Sequence, residues 1–433
     1  MRLYKKAICA IFCLVSFSLA AQDTIYVRQI IDTLSAPGMH GRGYSHKGDS
    51  IAASFIANEF EKFGLQKFNS SYLQKLSFIT NTFPGNTLLI VNDKDTLEPF
   101  YDFKVLPISS SLKGEFDVVE IPYKKFKKLK SLRKLVQKTD FTNSIVLVDF
   151  SKLKQKELAS DIYKSVREVL YQNHMKAKGV VIIDKNVGAF GVALWNQNPA
   201  DYPIIIFGEN SYKKKINKIT IDLESRFYED YVSQNVIGYI EGKVEPDSFF
   251  VIGAHYDHLG VFGKNIYFPG ANDNASGIAA VLDLAKHFSQ NQPYYSVAFM
   301  LFTGEEIGIL GSKYYTENPL FPLSKIKFMF NLDMVGNGEK GIMAVNALSH
   351  PEAFEFLESI NNEKKYFDPL KKRGEAANSD HHYFHQNKVP AFFFYTMGES
   401  GPYHHPDDIS EKVSLIKYHS VFNLVLDFVN QYR

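Results

Sequence analysis

The stretch VIGAHYDHLGVFGKNIYFPGANDNASG, residues 251–277, decides the fold that we expect for this chain. An apolar segment typical of a strand, Phe249–Ile252, leads into His255 and Asp257, and a glycine-containing loop then leads to Asp273. A first-row metal ion prefers imidazole and carboxylate ligands, and a carboxylate two residues after a histidine lies on the same side of an extended chain. Asp273 is too far along the chain to share a helical face with His255. Only a fold that brings two strand ends together makes them partners.

Strand-type and helix-type segments alternate around this stretch. In order, we predict strand 249–254, helix 276–289, strand 296–302, helix 307–317, strand 326–332, strand 341–345, helix 351–364, strand 391–395 and helix 414–431. Such alternation is typical of an α/β fold. The sequence therefore predicts a mixed, mostly parallel central sheet flanked by helices on both faces.

The chain of 433 residues is longer than one average domain. Residues 106–225 differ from the rest because they are rich in lysine and contain isolated apolar strands around a helix at about 155–176. We predict that residues 106–225 form a smaller, β-rich inserted domain. The main domain then consists of a first part at 21–105 and a main part at 226–433.

The first 20 residues have the features of a secretory signal peptide. Three basic residues precede the apolar segment Ala7–Phe17, and Ser18-Leu19-Ala20 supplies a small-x-small cleavage site. The apolar segment is shorter than the ~20 residues that a membrane span needs. Both cysteines, Cys9 and Cys13, lie in this segment. We therefore predict an exported protein, periplasmic or secreted, with no membrane span after cleavage and no disulfides.

The charge composition gives no support for nucleic-acid binding. The chain has 49 basic and 47 acidic residues, so its net charge is close to zero. One basic segment, residues 124–138, interleaves lysines with apolar residues. Its spacing favours an amphipathic helix with a solvated basic face over a patch for an anionic partner.

Acidic and imidazole side chains recur where predicted strands end. The five short motifs are His255-Tyr256-Asp257, Asn272-Asp273-Asn274, Glu305-Glu306, Asn331-Leu332-Asp333 and Tyr403-His404-His405. Each has an ordinary structural explanation when taken alone, such as a solvated acidic pair or a helix cap. Ligands bind at the carboxyl edge of open α/β sheets, however, and these motifs converge there. Two histidines and three to four carboxylates suffice for two metal ions that share a carboxylate. This mixture favours zinc, with cobalt or manganese as alternatives.

Two other types of site are not supported. Residues 336–341 match the dinucleotide-binding pattern G-x-G-x-x-G, but a strand-type segment follows them, so we predict a hairpin turn there. The chain contains neither a G-x-S-x-G nor an H-E-x-x-H motif, which removes the usual support for a serine hydrolase or a single-helix zinc protease.

The motifs resemble, in their order, those of the co-catalytic di-zinc metallopeptidases, a family that includes secreted bacterial aminopeptidases, glutamate carboxypeptidases and glutaminyl cyclases. The matching segments are AHYDHLG (254–260), GANDNASG (270–277), TGEEIGILGS (303–312), NLDMVG (331–336), SDHHYF (379–384) and YHHPDD (403–408). The resemblance is specific across about 230–433. More weakly, residues 106–225 resemble the protease-associated domain that is often inserted in such enzymes.

The resemblance implies a role for each motif residue. The implied metal ligands are His255, Asp273, Glu306, Asp333 and His404, with Asp273 bridging two Zn²⁺ ions per chain. Asp257 would orient His255, Glu305 would be the general base, and Tyr403 would steady the oxyanion. His405 stands where the family often has threonine, which leaves two candidates for the last ligand. The order Tyr-His favours His404.

The function implied is that of an exported aminopeptidase that acts on peptides. Two ions held about 3.5–4 Å apart would activate a bridging water, and Glu305 would move its proton to the leaving amine. Glutaminyl cyclisation with one zinc is an alternative, against which the presence of His255 and Asp333 speaks. A non-catalytic binding module is a further alternative, and it is disfavoured because every catalytic position is retained.

A carboxypeptidase of the same family is also possible, since it would need only a cation for the substrate carboxylate. Lys371, Lys372 and Arg373 lie near the SDHHYF segment, although a solvated loop is the simpler interpretation. The nearby residues His381, His382 and His385 are expected to line or support the pocket without binding metal.

Overall fold

The computed structural model describes residues 22–433 apart from 126–128, 154–169, 186, 193–197, 213, 400 and 402. The predicted signal peptide and most of the helix predicted at 155–176 lie outside the described residues. None of the helices in the described part of the chain is long and apolar enough to cross a membrane. Two large sheets organise the described residues.

The first sheet carries the α/β part of the chain. Within the described residues its spatial order is β1 (Leu73–Thr82), β10 (Arg226–Ile240), β14 (Tyr295–Phe302), β11 (Glu245–His255), β15 (Ile326–Leu332), β18 (Ala391–Thr396), β16 (Ile342–Val345) and β17 (Leu370–Lys372). Strands β14, β11, β15 and β18 are mutually parallel, whereas β1 with β10, β10 with β14, and β16 with β18 are antiparallel. The mixed, mostly parallel sheet predicted from the sequence is confirmed.

Helices pack on this sheet through apolar faces. In the described chain they are α1 (Gln22–Leu34), α2 (Gly48–Phe63), α3 (Leu129–Lys138), α4 (Ser276–Gln290), α5 (Leu310–Glu317), α6 (Pro351–Lys364), α7 (His381–Gln386) and α8 (Tyr418–Gln431), of which α3 belongs to the lysine-rich segment. Helices α5 and α8 begin later than predicted. Ile309 and Leu415, just before their starts, have left-handed backbones with φ of 61° and 56°, which a continuing helix cannot contain.

The predicted hairpin at residues 336–341 is wrong. Strands β15 and β16, on either side of it, are not hydrogen-bonded to each other, because β18 lies between them. Strand β15 pairs with β18 in parallel, and β16 pairs with the other edge of β18 in antiparallel orientation. The local sequence correctly indicated a turn. It contained no signal that β18, about 50 positions later, would lie between β15 and β16.

The main core is aromatic. Phe428 of α8 lies 5.2 Å from Phe328 and 5.0 Å from Phe330, measured between ring centroids, and Phe328 contacts Phe392 at 4.7 Å. All residues of β14 are buried, as expected for a strand covered on both faces. This rigid core fixes the carboxyl ends of the parallel strands.

The second sheet contains the lysine-rich segment. Its spatial order in the described residues is β3 (Asp95–Thr96), β2 (Thr87–Val91), β9 (Lys218–Leu223), β5 (Leu112–Ile121), β6 (Ser144–Asp149), β7 (Gly179–Asp184), β8 (Ile204–Gly208) and β4 (Phe103–Val105). It includes strands that precede the predicted insertion at 106–225. The division into domains stays a prediction. A short ribbon, β12 (Val261–Phe262) and β13 (Ile266–Tyr267), packs between the two sheets.

Candidate metal centre

The five predicted ligands meet at the carboxyl edge of the first sheet. His255 ends β11, Glu306 follows β14, and Asp333 directly follows β15, so three neighbouring parallel strands each supply one side chain. Asp273 lies in the turn before α4, and His404 lies in the loop after β18. The structure therefore brings together residues that are up to 149 positions apart in the sequence.

One half of the centre is formed by His255, Asp273 and Asp333. Nε2 of His255 lies 3.3 Å from Oδ1 of Asp273 and 3.4 Å from Oδ1 of Asp333. All three side chains are almost completely inaccessible to solvent. Ligand atoms 2.0–2.2 Å from a tetrahedral zinc ion are about 3.3 Å from one another, so these distances fit such an ion.

The other half uses the second oxygen of Asp273. Nε2 of His404 lies 3.2 Å from Oδ2 of Asp273 and 3.1 Å from Oε2 of Glu306. In spite of these distances, Nε2 of His404 makes no hydrogen bond in the structure. An orphaned buried nitrogen beside two carboxylates is the donor arrangement that a shared cation satisfies. The donor set of this buried centre therefore fits zinc, and the described residues include one compact group of three, His255, Asp273 and Glu306, that could hold an ion.

Burial and mutual contact perturb the titration of these groups. Burial lowers the pKa of His404, but the carboxylates of Glu306 and Asp273 outweigh it and raise the pKa to about 11. Burial likewise opposes ionisation of Asp273, yet the close imidazoles of His255 and His404 hold its pKa well below the ordinary value. The carboxylates thus stay ionised in a buried place, where only nearby positive charge makes ionisation tolerable.

Glu305 differs from its neighbour Glu306. Burial, together with the negative charges of Glu306 and Asp333, raises the pKa of Glu305 well above the ordinary carboxyl value. The pKa of Glu306 is instead lowered to about 2, because His404 and His258 outweigh the effect of burial. Two adjacent carboxyls with opposite shifts suit different tasks, ligation for one and proton transfer for the other.

Asp257 organises the centre through its backbone as well as its side chain. Its carboxylate accepts hydrogen bonds from the backbone N–H groups of Glu305 and Glu306, both at 3.2 Å, and from the Tyr44 hydroxyl at 2.5 Å. Nδ1 of His255 lies 3.1 Å from the carbonyl oxygen of Asp257 but 3.8 Å from its carboxylate. The carboxylate therefore orients the Glu305-Glu306 turn, and the carbonyl holds the His255 ring.

Sequence reasoning missed His258, which supports Glu306. Nδ1 of His258 lies 2.6 Å from Oε1 of Glu306, and the His258 ring is fully buried. His258 therefore contacts one carboxylate oxygen of Glu306, and His404 lies beside the other. His258 sits within the AHYDHLG motif, so proximity to His255 was the only available signal.

Asp273 is held from two sides by residues that the sequence did not single out as site residues. The Asp408 carboxylate accepts hydrogen bonds from the backbone N–H groups of Asn272 and Asp273, each at 3.0 Å. The fully buried Arg42 donates to the carbonyls of Gly270 and Asp273, at 2.8 and 3.2 Å. A Cβ at Gly270 would lie 2.6 Å from an Arg42 nitrogen, so this close approach requires glycine.

Asp333 also has a buried partner. The Ser379 hydroxyl donates to Oδ2 of Asp333 at 2.8 Å and accepts from the Asn331 amide at 2.7 Å. The next residue, Asp380, is fully buried, and burial raises its pKa to about 7. The SDHHYF motif therefore reaches the centre through its first two residues.

The two candidates for the last ligand have different neighbours. His404 faces Asp273 and Glu306, whereas Nδ1 of His405 accepts a hydrogen bond from the backbone N–H of Asp407 at 3.2 Å. Tyr403 stacks on the His404 ring at a centroid distance of 3.7 Å and is 52% exposed. Partial burial and the carboxylates of the centre raise the pKa of the Tyr403 hydroxyl.

The other histidines near SDHHYF contact groups outside the five predicted ligands. His381 is buried against Phe393 with neither ring nitrogen hydrogen-bonded, and burial lowers its pKa to about 3. His385 contacts His350 at 3.2 Å and Glu375 at 3.2 Å. The predicted basic loop is instead the edge strand β17, whose Lys371 and Lys372 side chains are exposed.

Comparison with known proteins relates part of the chain to a peptidase family. Residues 235–429 match peptidase family M28. Aminopeptidase YwaD of Bacillus subtilis is 31% identical over 214 residues, which are 47% of this chain and 45% of that protein. A probable zinc metalloprotease of Pyrenophora teres f. teres is 35% identical over 106 residues, 24% of this chain and 23% of the relative. The chain thus matches less than half the length of these curated relatives.

Solved structures share the fold over nearly the whole chain. A zinc aminopeptidase from Bacillus subtilis superposes with a TM-score of 0.69 at 21% identity, covering 93% of this chain and 94% of that one. An aminopeptidase from Aneurinibacillus sp. strain AM-1 superposes with a TM-score of 0.63 at 21% identity, covering 94% and 93%. The resemblance inferred from the motifs is confirmed by the match of residues 235–429 to peptidase family M28.

Proposed function

We propose that this protein is an exported di-zinc aminopeptidase that removes N-terminal residues from peptides. One observation carries the proposal: both oxygens of the Asp273 carboxylate face a histidine, His255 on one side and His404 on the other. A second carboxylate lies beside each histidine, Asp333 beside His255 and Glu306 beside His404. This symmetry supports two ions and not one. The match to peptidase family M28 and the similarity to a probable zinc metalloprotease support the chemistry.

In the proposed mechanism the protein residues bind ions, orient groups and move one proton. When bound, the ions would acidify water and polarise the scissile carbonyl. Glu305 would accept the water proton and deliver it to the leaving amine. Its pKa is raised, and its backbone N–H is held by the Asp257 carboxylate. The Tyr403 hydroxyl, next to His404, would donate a hydrogen bond to the developing oxyanion.

Charge at the centre favours an aminopeptidase over a carboxypeptidase. Arg42 is buried beside the ligands, but all five of its N–H groups are donated to backbone carbonyls, so it is not available for a substrate carboxylate. Glu305 and Asp380 are further carboxyl groups beside the five predicted ligands, and a nearby cation would favour their ionised forms. An acidic pocket attracts the α-ammonium group of a peptide.

A panel of peptides tests this proposal. The zinc-loaded protein should hydrolyse aminoacyl substrates with a free amino group, and acetylation of that group should lower kcat/KM at least about 100-fold, as the loss of a buried charge contact does. Removal of the ions with a chelator should abolish hydrolysis, and added zinc should restore it. Equal cleavage of blocked and free substrates would contradict an aminopeptidase. One zinc per chain, with cyclisation of N-terminal glutamine, would instead support a cyclotransferase.

Export is proposed from the basic and apolar pattern of residues 1–20. Protein recovered from outside the cytoplasm of the producing cell is expected to begin near Ala21. Mass spectrometry of the intact chain measures this directly, and a variant with Leu14→Arg in the apolar segment should remain inside the cell. Recovery of a chain that still carries residues 1–20 in the exported fraction would contradict cleavage.

A further inference from the structure

His404 is held differently from the other predicted ligands. The partners of His255, Asp273, Glu306 and Asp333 that fix their orientation belong to the first sheet, its loops or the chain beside α1. Nδ1 of His404 instead lies 2.7 Å from the carbonyl oxygen of Phe190, in the segment between β7 and β8 of the second sheet. The backbone N–H of Phe190 in turn donates to the His404 carbonyl at 3.4 Å.

This pair of contacts has a defined chemical consequence. An imidazole that donates Nδ1–H to a carbonyl has its other nitrogen, Nε2, free to bind a metal ion, and the hydrogen bond fixes the plane of the ring. Nε2 of His404 is the atom that faces Asp273 and Glu306. Phe190 thus selects both the tautomer and the direction of this ligand.

The position of Phe190 is itself fixed by packing. Its ring, 3% exposed, stacks on Phe268 at 5.2 Å with a 9° angle between ring planes, and it meets Phe100 edge to face at 5.1 Å. The preceding carbonyl, of Ala189, accepts a hydrogen bond from Nζ of Lys104 on β4 at 2.8 Å. Aromatic packing and Lys104 therefore fix the backbone at Ala189 and Phe190, whose Phe190 carbonyl contacts His404.

We propose that Phe190 is a positioning residue for His404, so that seating of the second sheet on the first sets the affinity of the ion held by Asp273, Glu306 and His404. The inference rests on the proposed two-ion centre. It assigns to the second sheet a part in building the centre, in addition to any role in shaping its entrance. The ion held by His255, Asp273 and Asp333 is independent of this contact.

Two substitutions in the full-length protein test the proposal. Phe190→Ala removes the packed ring, and Lys104→Met removes the donor to Ala189 while keeping the length of the side chain. Metal-free protein is titrated with Zn²⁺ against a chelating indicator. The wild type should bind two ions. Each variant should bind one ion with normal affinity and the other about 10–100-fold more weakly, the range expected when a metal ligand loses its hydrogen-bond partner.

Matched controls separate this effect from general destabilisation. Phe141, just before β6, is also a buried phenylalanine but packs in a separate core, and Lys113 is an exposed lysine paired with Asp222. Phe141→Ala and Lys113→Met should retain both ions. In a His404→Ala background, Phe190→Ala should cause no further loss of zinc affinity.

The possible outcomes divide clearly. Two ions bound with wild-type affinity in both Phe190→Ala and Lys104→Met would overturn the inference and leave the proposed function standing. Equal weakening in Phe141→Ala would overturn it too, by showing that the loss follows from stability alone. A wild type that binds fewer than two ions would instead refute the two-ion centre itself.

Discussion

Glu305→Gln is expected to lower kcat for peptide hydrolysis about 100- to 10,000-fold, the range typical for loss of a general base. The amide keeps the size of the carboxyl group but cannot accept a proton. Since Glu306 and not Glu305 faces His404, the variant should retain its zinc. Burial and neighbouring carboxylates raise the pKa of Glu305, so its role as a proton acceptor depends on nearby cations that stabilise the ionised form.

Metal content and KM must be measured with kcat. Zinc content equal to that of the wild type, an unchanged KM and a reduced kcat together indicate a group that acts only in the chemical step. Glu317→Gln, on the exposed end of α5, is the matched control and should keep full activity. Hydrolysis by Glu305→Gln at more than about a tenth of the wild-type rate would refute the assignment of the general base.

Arg42→Met is expected to reduce the free energy of unfolding by at least about 3 kcal/mol. The wild-type guanidinium donates to five backbone carbonyls, those of Leu34, Tyr256, Pro269, Gly270 and Asp273. Methionine fills a similar volume but removes all five donors, at a cost of about 1–3 kcal/mol for each buried carbonyl that finds no replacement. Because the same carbonyls shape the turn that carries Asp273, the variant should also lose zinc affinity.

Denaturant unfolding of the zinc-free protein measures the first effect, and zinc titration measures the second. Arg42→Lys retains the charge with three donors in place of five, so it should fall between methionine and wild type. Arg226→Met, at an exposed position on β10, is the control for loss of one arginine. A change below about 1 kcal/mol in Arg42→Met would show that water replaces the guanidinium, contrary to the packing described above.

Much of the α/β part was predictable because its signals are local. Parallel strands such as β14 and β15 are covered on both faces, so they are almost wholly apolar and easily recognised. Helix α2 ends at Gly64, whose left-handed backbone, with φ of 71°, matches the glycine signal in the sequence. The long strand β10 was missed because none of its first seven residues is buried and its polar residues interrupt the pattern.

The sequence alone determined which residue types lie at the strand ends, and through the order of the motifs it determined the family. Those features depend on composition and spacing along the chain. Only the tertiary structure decided that His404 and not His405 faces Asp273, and that Arg42, His258, Asp408 and Phe190 support the ligands. The physical reason is that each support is one hydrogen bond between distant segments. Its energy depends on distances and directions that no local pattern of residues specifies.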